Sequence, residues 1–264
     1  MVPLPKIGPG AEFAPLAVTP GERVFVLTGA GISAESGVRT FRGAGGAGSA
    51  GDGRSPQGGA SIALWYEHRL EDVATPEGFE RDPQLVWRFY SERRKLAASV
   101  QPNPAHLALA KLEERMGERL FLCTQNVDAL HEKAGSREVL HMHGQLLATR
   151  CSKCDRAPFP DPSAYESPPR CDCGALLRPH VVWFGEMPFG LAQIYRALEA
   201  CDLFLTVGSS GAVYPAAGFV SHLRHLGRAR CVYVGLERPE NAHSFDECRL
   251  GKAGELLPSL FRID

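Results

Sequence analysis

Residues 24–37 read VFVLTGAGISAESG: a short, continuous apolar run that stops at Thr28-Gly29-Ala30-Gly31 and passes into a segment bearing Ser and Glu. A run of this length without polar alternation is what a strand buried on both faces shows, the habit of parallel sheets. The glycines at its end allow a tight turn and a close approach of backbone N–H groups to a phosphate, whose charge a following helix N-terminus favours. Alone, the turn is equally well a structural βα connection.

Three further apolar runs end in the same way. Leu120–Cys123 stops at Thr124-Gln125-Asn126, Leu203–Val207 at Gly208-Ser209-Ser210, and Cys231–Val234 at Gly235-Leu236-Glu237. Helical spacing of apolar residues separates them, most clearly over 83–99 and over 104–116, where Pro104 suits a first helical turn. This pattern predicts an α/β protein with a Rossmann-like, doubly wound parallel sheet and ligands beyond the carboxyl ends of the strands. Residues 150–178 change character to cysteines, prolines and short polar pieces, as expected of a small inserted zinc-binding domain. The expected organisation is a flexible tail over 1–20, then a Rossmann-like nucleotide-binding domain over 21–149 and 179–264. That domain would carry a mobile Gly-rich loop at 43–60 and a helical segment at 61–100, and the zinc module would occupy 150–178.

Composition narrows the function classes. The 264 residues are 44% hydrophobic and 22% charged with a formal net charge of −1. There is thus no global field to gather nucleic acid or an anionic membrane, and no oligomer is required by anything in the pattern. The N-terminal stretch has neither a charged start nor an apolar run, so it reads as no export or transit signal. Eight cysteines in such a chain fit a reducing compartment, and the expected location is the cytoplasm.

Chemistry concentrates at the strand ends. Gln125, Asn126 and Asp128 place two amides and a carboxylate at one of them, groups suited to binding an amide or to stabilising a cationic sugar carbon. His141 and His143 follow, and Gly144 leaves space beside His143, which makes it the candidate general base. Arg42 and Phe41 after the glycine turn suit a phosphate and a flat ring. Glu237 suits ribose hydroxyls. Cys151-x-x-Cys154 and Cys171-x-Cys173 have the spacing of a four-thiolate zinc site, closed to water and therefore structural.

In order, GAGISAESGVRTFRG, TQNVDALHEKAG, HMHG, the paired cysteines, LRPHVVWFGE, VGSS and GLE closely resemble the successive motifs of the sirtuins, NAD-dependent protein lysine deacylases. The resemblance runs from about Val24 to Ala253. It implies that Gly29, Ala30, Gly31, Ala34, Glu35, Thr40, Phe41 and Arg42 bind the cofactor. Gln125, Asn126 and Asp128 would line the nicotinamide and ribose pocket. Gly208, Ser209, Ser210, Leu236, Glu237 and Ala253 would hold the adenosine end. Catalysis would fall to His143, Asn126 and Asp128, and Val182, Trp183, Phe184, Gly185 and Glu186 would pair with an extended substrate backbone. The implied co-substrate is NAD, the implied metal is one structural zinc ion, and the implied partners are acylated lysines of proteins or peptides. The implied products are free lysine, nicotinamide and O-acyl-ADP-ribose.

Tyr90 and Arg93 lie three apart on an expected helix, where a phenol and a guanidinium can clamp a carboxylate. The matching pair marks sirtuins that favour succinyl, malonyl or glutaryl lysine over acetyl lysine, and the small Ala44 would leave room for the longer acid. The bland alternative is that Arg93-Arg94-Lys95 is a solvated helix face. The family usually carries Thr at Ser209, Asn at Gly235 and Pro at Arg39. Two other functions stay open at this point: a mono-ADP-ribosyltransferase, and a non-catalytic module that binds NAD or an acylated peptide.

Overall fold

The structure is a computed structural model that describes residues 6–9, 13–38 and 69–263. Expectations that fall on 39–68, including the Gly-rich loop 43–60, Thr40, Phe41, Arg42 and Ala44, lie outside the described residues. The chain divides into two compact units, one of residues 1–38, 100–145 and 188–264, the other of 39–99 and 146–187. Among the described residues no helix is long and apolar enough to cross a membrane.

Among the described residues the strands are β1 (Lys6–Pro9), β2 (Leu16–Val18), β3 (Val24–Thr28), β4 (Leu120–Thr124), β5 (Val139–His141), β6 (Gly144–Cys151), β7 (Phe159–Pro160), β8 (Leu177–Val181), β9 (Leu203–Val207), β10 (Arg230–Gly235), β11 (Glu247–Leu250) and β12 (Phe261–Ile263). In the first unit, seven of them form one sheet in the order β1-β11-β10-β9-β3-β4-β5, with every neighbouring pair parallel. From β3 the chain winds one way to β4 and β5, then returns to lay β9, β10 and β11 on the other side. The switch point therefore falls between β3 and β9, where doubly wound sheets open a crevice for ligands.

Alternation along these strands builds two cores. Val24 and Val26 join Leu120, Leu122, Leu203, Leu205, Val232 and Val234 on one face, against Leu109, Leu112 and Met116 of the helix Pro104–Met116. Phe25 and Leu27 point the other way with Cys123, Phe204, Cys231 and Tyr233. There they meet Ile194 and Leu198 of the helix Leu191–Ala200 and Phe219 and Leu223 of the helix Phe219–Leu226. Each fully buried Leu, Ile, Val or Phe contributes about 1.5–3 kcal/mol, and burial on both faces is what leaves the strands without polar alternation.

The segment expected as a flexible tail carries two strands. β1 pairs with β11, and β2 pairs with β12 in a separate two-stranded sheet. Leu16 and Val18 are buried, and the Leu16 N–H donates to the Leu260 carbonyl at 2.6 Å. The partners of these strands come from the last part of the chain, so local composition conceals them.

In the second unit, β7, β6 and β8 form a three-stranded sheet. The helices Leu70–Val73, Pro76–Arg81 and Pro83–Ser99, expected with the Rossmann-like domain, group with the cysteine segment instead. The reason is visible along Pro83–Ser99. Trp87 Nε1 donates to the Leu177 carbonyl at 2.8 Å, and its ring meets Tyr165 edge-on at 5.0 Å. Arg94 is buried, not solvated. Its guanidinium donates to the carbonyls of Leu146, Ala148 and Ser163 and to Thr149 Oγ1 at 2.8–2.9 Å, and it pairs with Asp161 at 3.4 Å.

Candidate active site

The crossing of β3 and β9 depends on glycine. A Cβ on Gly29 would stand 2.8 Å from Ser209 Cα, and one on Gly31 would stand 2.7 Å from Gly208 Cα, both backbone atoms. The Gly29 N–H donates to the Val207 carbonyl at 2.9 Å and the Gly31 N–H to the Gly208 carbonyl at 2.8 Å. These bonds draw the two strand ends into backbone contact. The helix Ala30–Ala34 starts there, with Ser33 buried on it.

Polar groups from three strand ends gather at this point. Gln125 Nε2 donates to Ser209 Oγ at 3.0 Å. Asn126 Nδ2 donates to the Gly29 carbonyl and to Ser33 Oγ, both at 3.1 Å. The Ser33 hydroxyl donates in turn to Asp128 Oδ2 at 3.0 Å, while Asp128 Oδ1 accepts from the Leu130 N–H at 3.1 Å. Burial pushes the Asp128 carboxyl above the ordinary range, against those two hydrogen bonds. With both Nδ2 hydrogens spent, Asn126 offers a ligand only its Oδ1 acceptor.

The two imidazoles of HMHG have different fates. His141 is buried, with Nδ1 on the Asn126 carbonyl at 3.0 Å and Nε2 on Glu132 Oε1 at 2.6 Å. Burial opposes its charge, but the Glu132 carboxylate outweighs that and raises its pKa. Both nitrogens face acceptors, so His141 serves as a held cation. His143 Nδ1 meets the Gln125 carbonyl at 3.0 Å. A carbonyl only accepts, so Nδ1 carries the hydrogen and Nε2 keeps its lone pair. Burial lowers the His143 pKa, partly offset by that bond.

Behind Asn126 lies a network that sequence reasoning missed. Thr28 Oγ1 donates to Thr124 Oγ1 at 2.8 Å and meets His131 Nε2 at 2.9 Å, and Thr124 Oγ1 accepts the Asn126 N–H at 3.0 Å. Burial lowers His131 to about 3 and the adjoining His106 to about 4, so both rings stay neutral. The signal was present in the spacing. Thr28 and Thr124 end neighbouring strands in register, and His131 follows one short loop later.

The remaining expected cofactor residues are placed as follows. Ala30 and Ala34 lie on the short helix after the glycine turn. Glu35 is exposed, and its Oε1 accepts the Gly254 N–H at 3.0 Å at the start of the helix Ala253–Leu256, where Ala253 is buried. Ser210 follows β9, and its carbonyl accepts the Glu240 N–H at 2.9 Å. Leu236 and Glu237 are exposed just after β10. At Gly235 a Cβ would meet Tyr233 Oη at 2.3 Å, so the phenol fills the space of the missing side chain.

In the second unit, Tyr90 and Arg93 share a face of Pro83–Ser99, the guanidinium carbon lying 5.7 Å from the Tyr90 ring centre. Tyr90 is 1% exposed, and burial raises its pKa, so it stays protonated. After β8 the chain turns through Val182, Trp183, Phe184 and Gly185, the last with φ +87°. The Phe184 N–H donates to the Ala74 carbonyl at 3.0 Å and the Trp183 N–H to Glu186 at 2.8 Å. Glu186 also takes two bonds from Arg178 at 2.6 and 3.0 Å.

The four cysteine Sγ atoms of Cys151, Cys154, Cys171 and Cys173 all lie within 4.8 Å of one another. Cys151–Cys173 and Cys154–Cys171 are separated by 3.6 and 3.7 Å. Zinc–thiolate bonds of about 2.3 Å in a tetrahedron require sulfurs roughly 3.8 Å apart. The N–H groups of Cys154 and Lys153 point at Cys151 Sγ from 3.3 and 3.4 Å and draw that thiol below its usual range. The set fits one zinc ion in a closed, structural shell.

Comparison with known proteins agrees with this geometry. Residues 29–215 match the model of the Sir2 family. An NAD-dependent protein deacylase of Salmonella typhimurium is 50% identical over 244 residues, covering 89% of this chain and 81% of the relative. The protein of the same name from Escherichia coli K12 is 50% identical over 240 residues, covering 89% and 80%. A crystal structure of a Sir2 homologue–NAD complex superposes with a TM-score of 0.77 at 38% identity, covering 91% of this chain and 88% of that one. Fold, strand-end chemistry and sequence thus converge, and the chain belongs to the Sir2 family.

Proposed function

We propose that this chain is an NAD-dependent protein lysine deacylase that removes succinyl, malonyl and glutaryl groups, and acetyl groups with lower efficiency. The observation that carries the reading is His143, whose Nδ1–H is tied to the carbonyl of Gln125, the residue before Asn126 of the Asn126–Ser33–Asp128 cluster, so that Nε2 is the base. NAD, as co-substrate, supplies a glycosidic bond to a cationic pyridinium, whose cleavage releases neutral nicotinamide and leaves a ribose carbon that takes the acyl oxygen. Asn126 Oδ1 and Asp128 face that developing positive charge with acceptors only. His143 Nε2 removes the proton from a ribose hydroxyl, which then attacks the acyl carbon; the C–N bond breaks, lysine leaves as the free amine, and a water adds to the acyl carbon so that its bond to the first ribose oxygen opens to O-acyl-ADP-ribose. Gly29, Ala30, Gly31, Ala34 and Glu35 form the phosphate turn of this reading. Gly208, Ser209, Ser210, Leu236, Glu237 and Ala253 take the adenosine end.

The acyl preference rests on Tyr90 and Arg93. A protonated phenol beside a guanidinium offers two charge-complementary donors to the terminal carboxylate of a dicarboxylic acyl chain. A substrate backbone pairing with 182–186 would use Val182 or Gly185, because the Trp183 and Phe184 N–H groups are spent within the protein. Glu186, held by Arg178 and Arg150, acts as a buttress for that turn. The eight free cysteines suit a reducing compartment such as the cytoplasm.

The test is a mass-spectrometric panel of acetyl, malonyl, succinyl and glutaryl peptides with NAD, for the wild type and Arg93→Met. The expected result is NAD-dependent loss of the acidic acyl groups, reduced by the substitution far more than acetyl removal. Dominant acetyl removal with a preference indifferent to Arg93→Met would overturn the acidic-acyl reading. Transfer of ADP-ribose to protein in place of free O-acyl-ADP-ribose would favour the transferase reading.

A further inference from the structure

The Tyr90 hydroxyl has one hydrogen-bond partner among the described residues, and that partner is a donor. Trp183 Nε1–H gives its hydrogen to Tyr90 Oη at 3.0 Å, with both side chains buried. One lone pair of the phenol is thereby used, while its own proton has no acceptor among the described residues. A buried donor left unmatched is costly, and this one lies beside the Arg93 guanidinium. An anionic oxygen is the group that would accept the phenol proton.

The indole is itself held in place. The Arg178 guanidinium stacks on the Trp183 ring at 3.3 Å, and Phe79 packs against it at 5.3 Å. Arg178 is fixed by its two bonds to Glu186, whose Oε2 also accepts the Trp183 N–H. A rigid chain therefore runs from Glu186 through Arg178 and Trp183 to the Tyr90 oxygen.

We propose that Trp183 is a specificity-positioning residue: its indole N–H occupies the acceptor side of the Tyr90 hydroxyl and so turns that hydroxyl into a dedicated donor for the acyl carboxylate. This rests on the acidic-acyl reading given above. Without the indole N–H, the phenol rotor can settle in orientations that present a lone pair to the carboxylate, which repels it. The preference for acidic over neutral acyl groups is thus set in part by a residue two positions past β8, on the turn that would meet the substrate backbone.

The test is the ratio of kcat/KM for succinyl over acetyl peptide, measured in Trp183→Phe, Tyr90→Phe and the double variant. Trp183→Phe keeps an aromatic ring and removes the donor, so general damage to peptide binding lowers both substrates and cancels in the ratio. The expected result is a fall of about three- to tenfold in the ratio for Trp183→Phe, the worth of one net hydrogen bond. In the Tyr90→Phe background the same change should move the ratio by less than about twofold, since residues acting through one hydroxyl are not additive. If Trp183→Phe folds poorly, the benzothienyl analogue of tryptophan at position 183 keeps the shape without the N–H and carries the same expectation. An unchanged ratio in Trp183→Phe, or an equal fall with and without the Tyr90 hydroxyl, overturns this assignment while Tyr90→Phe still lowers the ratio. If Tyr90→Phe and Arg93→Met both leave the ratio unchanged, the acidic-acyl reading falls and takes this one with it.

Discussion

Replacing Gly31 by Ala puts a methyl group 2.7 Å from Gly208 Cα and 2.8 Å from the Gly208 carbonyl oxygen, where ordinary contact begins at 3.4 Å. Both obstacles are backbone, so no side-chain rotation relieves the overlap, and the ends of β3 and β9 must separate by about 0.7 Å. Overpacking of this kind costs about 1–3 kcal/mol. Weakening the 2.8 Å bond from the Gly31 N–H to the Gly208 carbonyl adds about 0.5–1.5 kcal/mol. The lower entropy of an unfolded chain with Ala offsets about 0.4–1 kcal/mol, leaving a net loss of about 1–3 kcal/mol. For domains of this size that lowers Tm by roughly 3–10 °C. On the proposed reading, in which this turn holds the NAD phosphates, the larger effect should be on the cofactor, since misplacement near 1 Å is enough to cost up to about a hundredfold. Thermal melting and calorimetric titration with NAD measure the two effects separately. Gly37→Ala is the control: its φ of +86° strains a side chain, but a Cβ there has nothing within 4 Å. If Gly31→Ala melts like Gly37→Ala and binds NAD as tightly as the wild type, the close approach of the two strand ends does not shape the cofactor site.

Two further outcomes follow from the site and the cysteine cluster. His143 works as a base only when neutral, and burial lowers its pKa. The acid limb of kcat/KM should therefore have its midpoint below the ordinary histidine value of about 6.5, and His143→Ala should remove that limb with turnover down about 10²–10⁴-fold; a midpoint above 6.5 contradicts the assignment. Stripping metal with a strong chelator should release one zinc per chain, with loss of ordered structure by circular dichroism and inactivation in parallel. Cys171→Ser should reproduce this, and full activity in a zinc-free, folded sample would show that the four thiols are not a structural metal site.

What could be read from the sequence was what depends on neighbours along the chain. The helices Pro83–Ser99 and Pro104–Met116 match their expected bounds because proline opens each. Asp82 Oδ1 receives the Leu85 N–H at 2.9 Å, and Asn103 makes a capping box with His106. The strands β3, β4, β9 and β10 announced themselves because burial on both faces leaves only apolar residues. The strands β1, β5 and β11 did not. They are three or four residues long, and β1 and β5 close the two edges of the sheet, where composition is under less constraint. Arg94 was hidden for a different reason. Its partners are carbonyls at 146, 148 and 163, and a guanidinium satisfied by distant backbone looks, in sequence, like any solvated arginine. The site shows the same division. The motif residues and the choice of His143 over His141 were visible, but the physical ground for that choice, Glu132 and the two carbonyls, was not.

That choice also explains why the cluster suits a cation. Following the hydrogens, Asn126 gives both of its amide protons to Gly29 and Ser33, Ser33 gives its own to Asp128, and His143 gives its Nδ1 proton to Gln125. Each donor is spent on the protein, so what remains at these residues is Asn126 Oδ1, the Asp128 carboxylate and His143 Nε2, all acceptors. An oxyanion would find no partner among them, whereas a ribose carbon losing nicotinamide develops the charge that acceptors stabilise. Because the protein already holds these groups, little reorganisation is needed as the charge forms. His141, tied between the Asn126 carbonyl and Glu132, favours the ionised form of Asp128 against its burial. Exchanging Ser33 for Ala would break the direction of this chain at its middle, freeing an Asn126 amide proton to face the ribose and removing a donor from Asp128. Nicotinamide release should then slow more than NAD binding weakens, and a Ser33→Ala variant whose only defect is a higher KM for NAD would refute the polarity argued here.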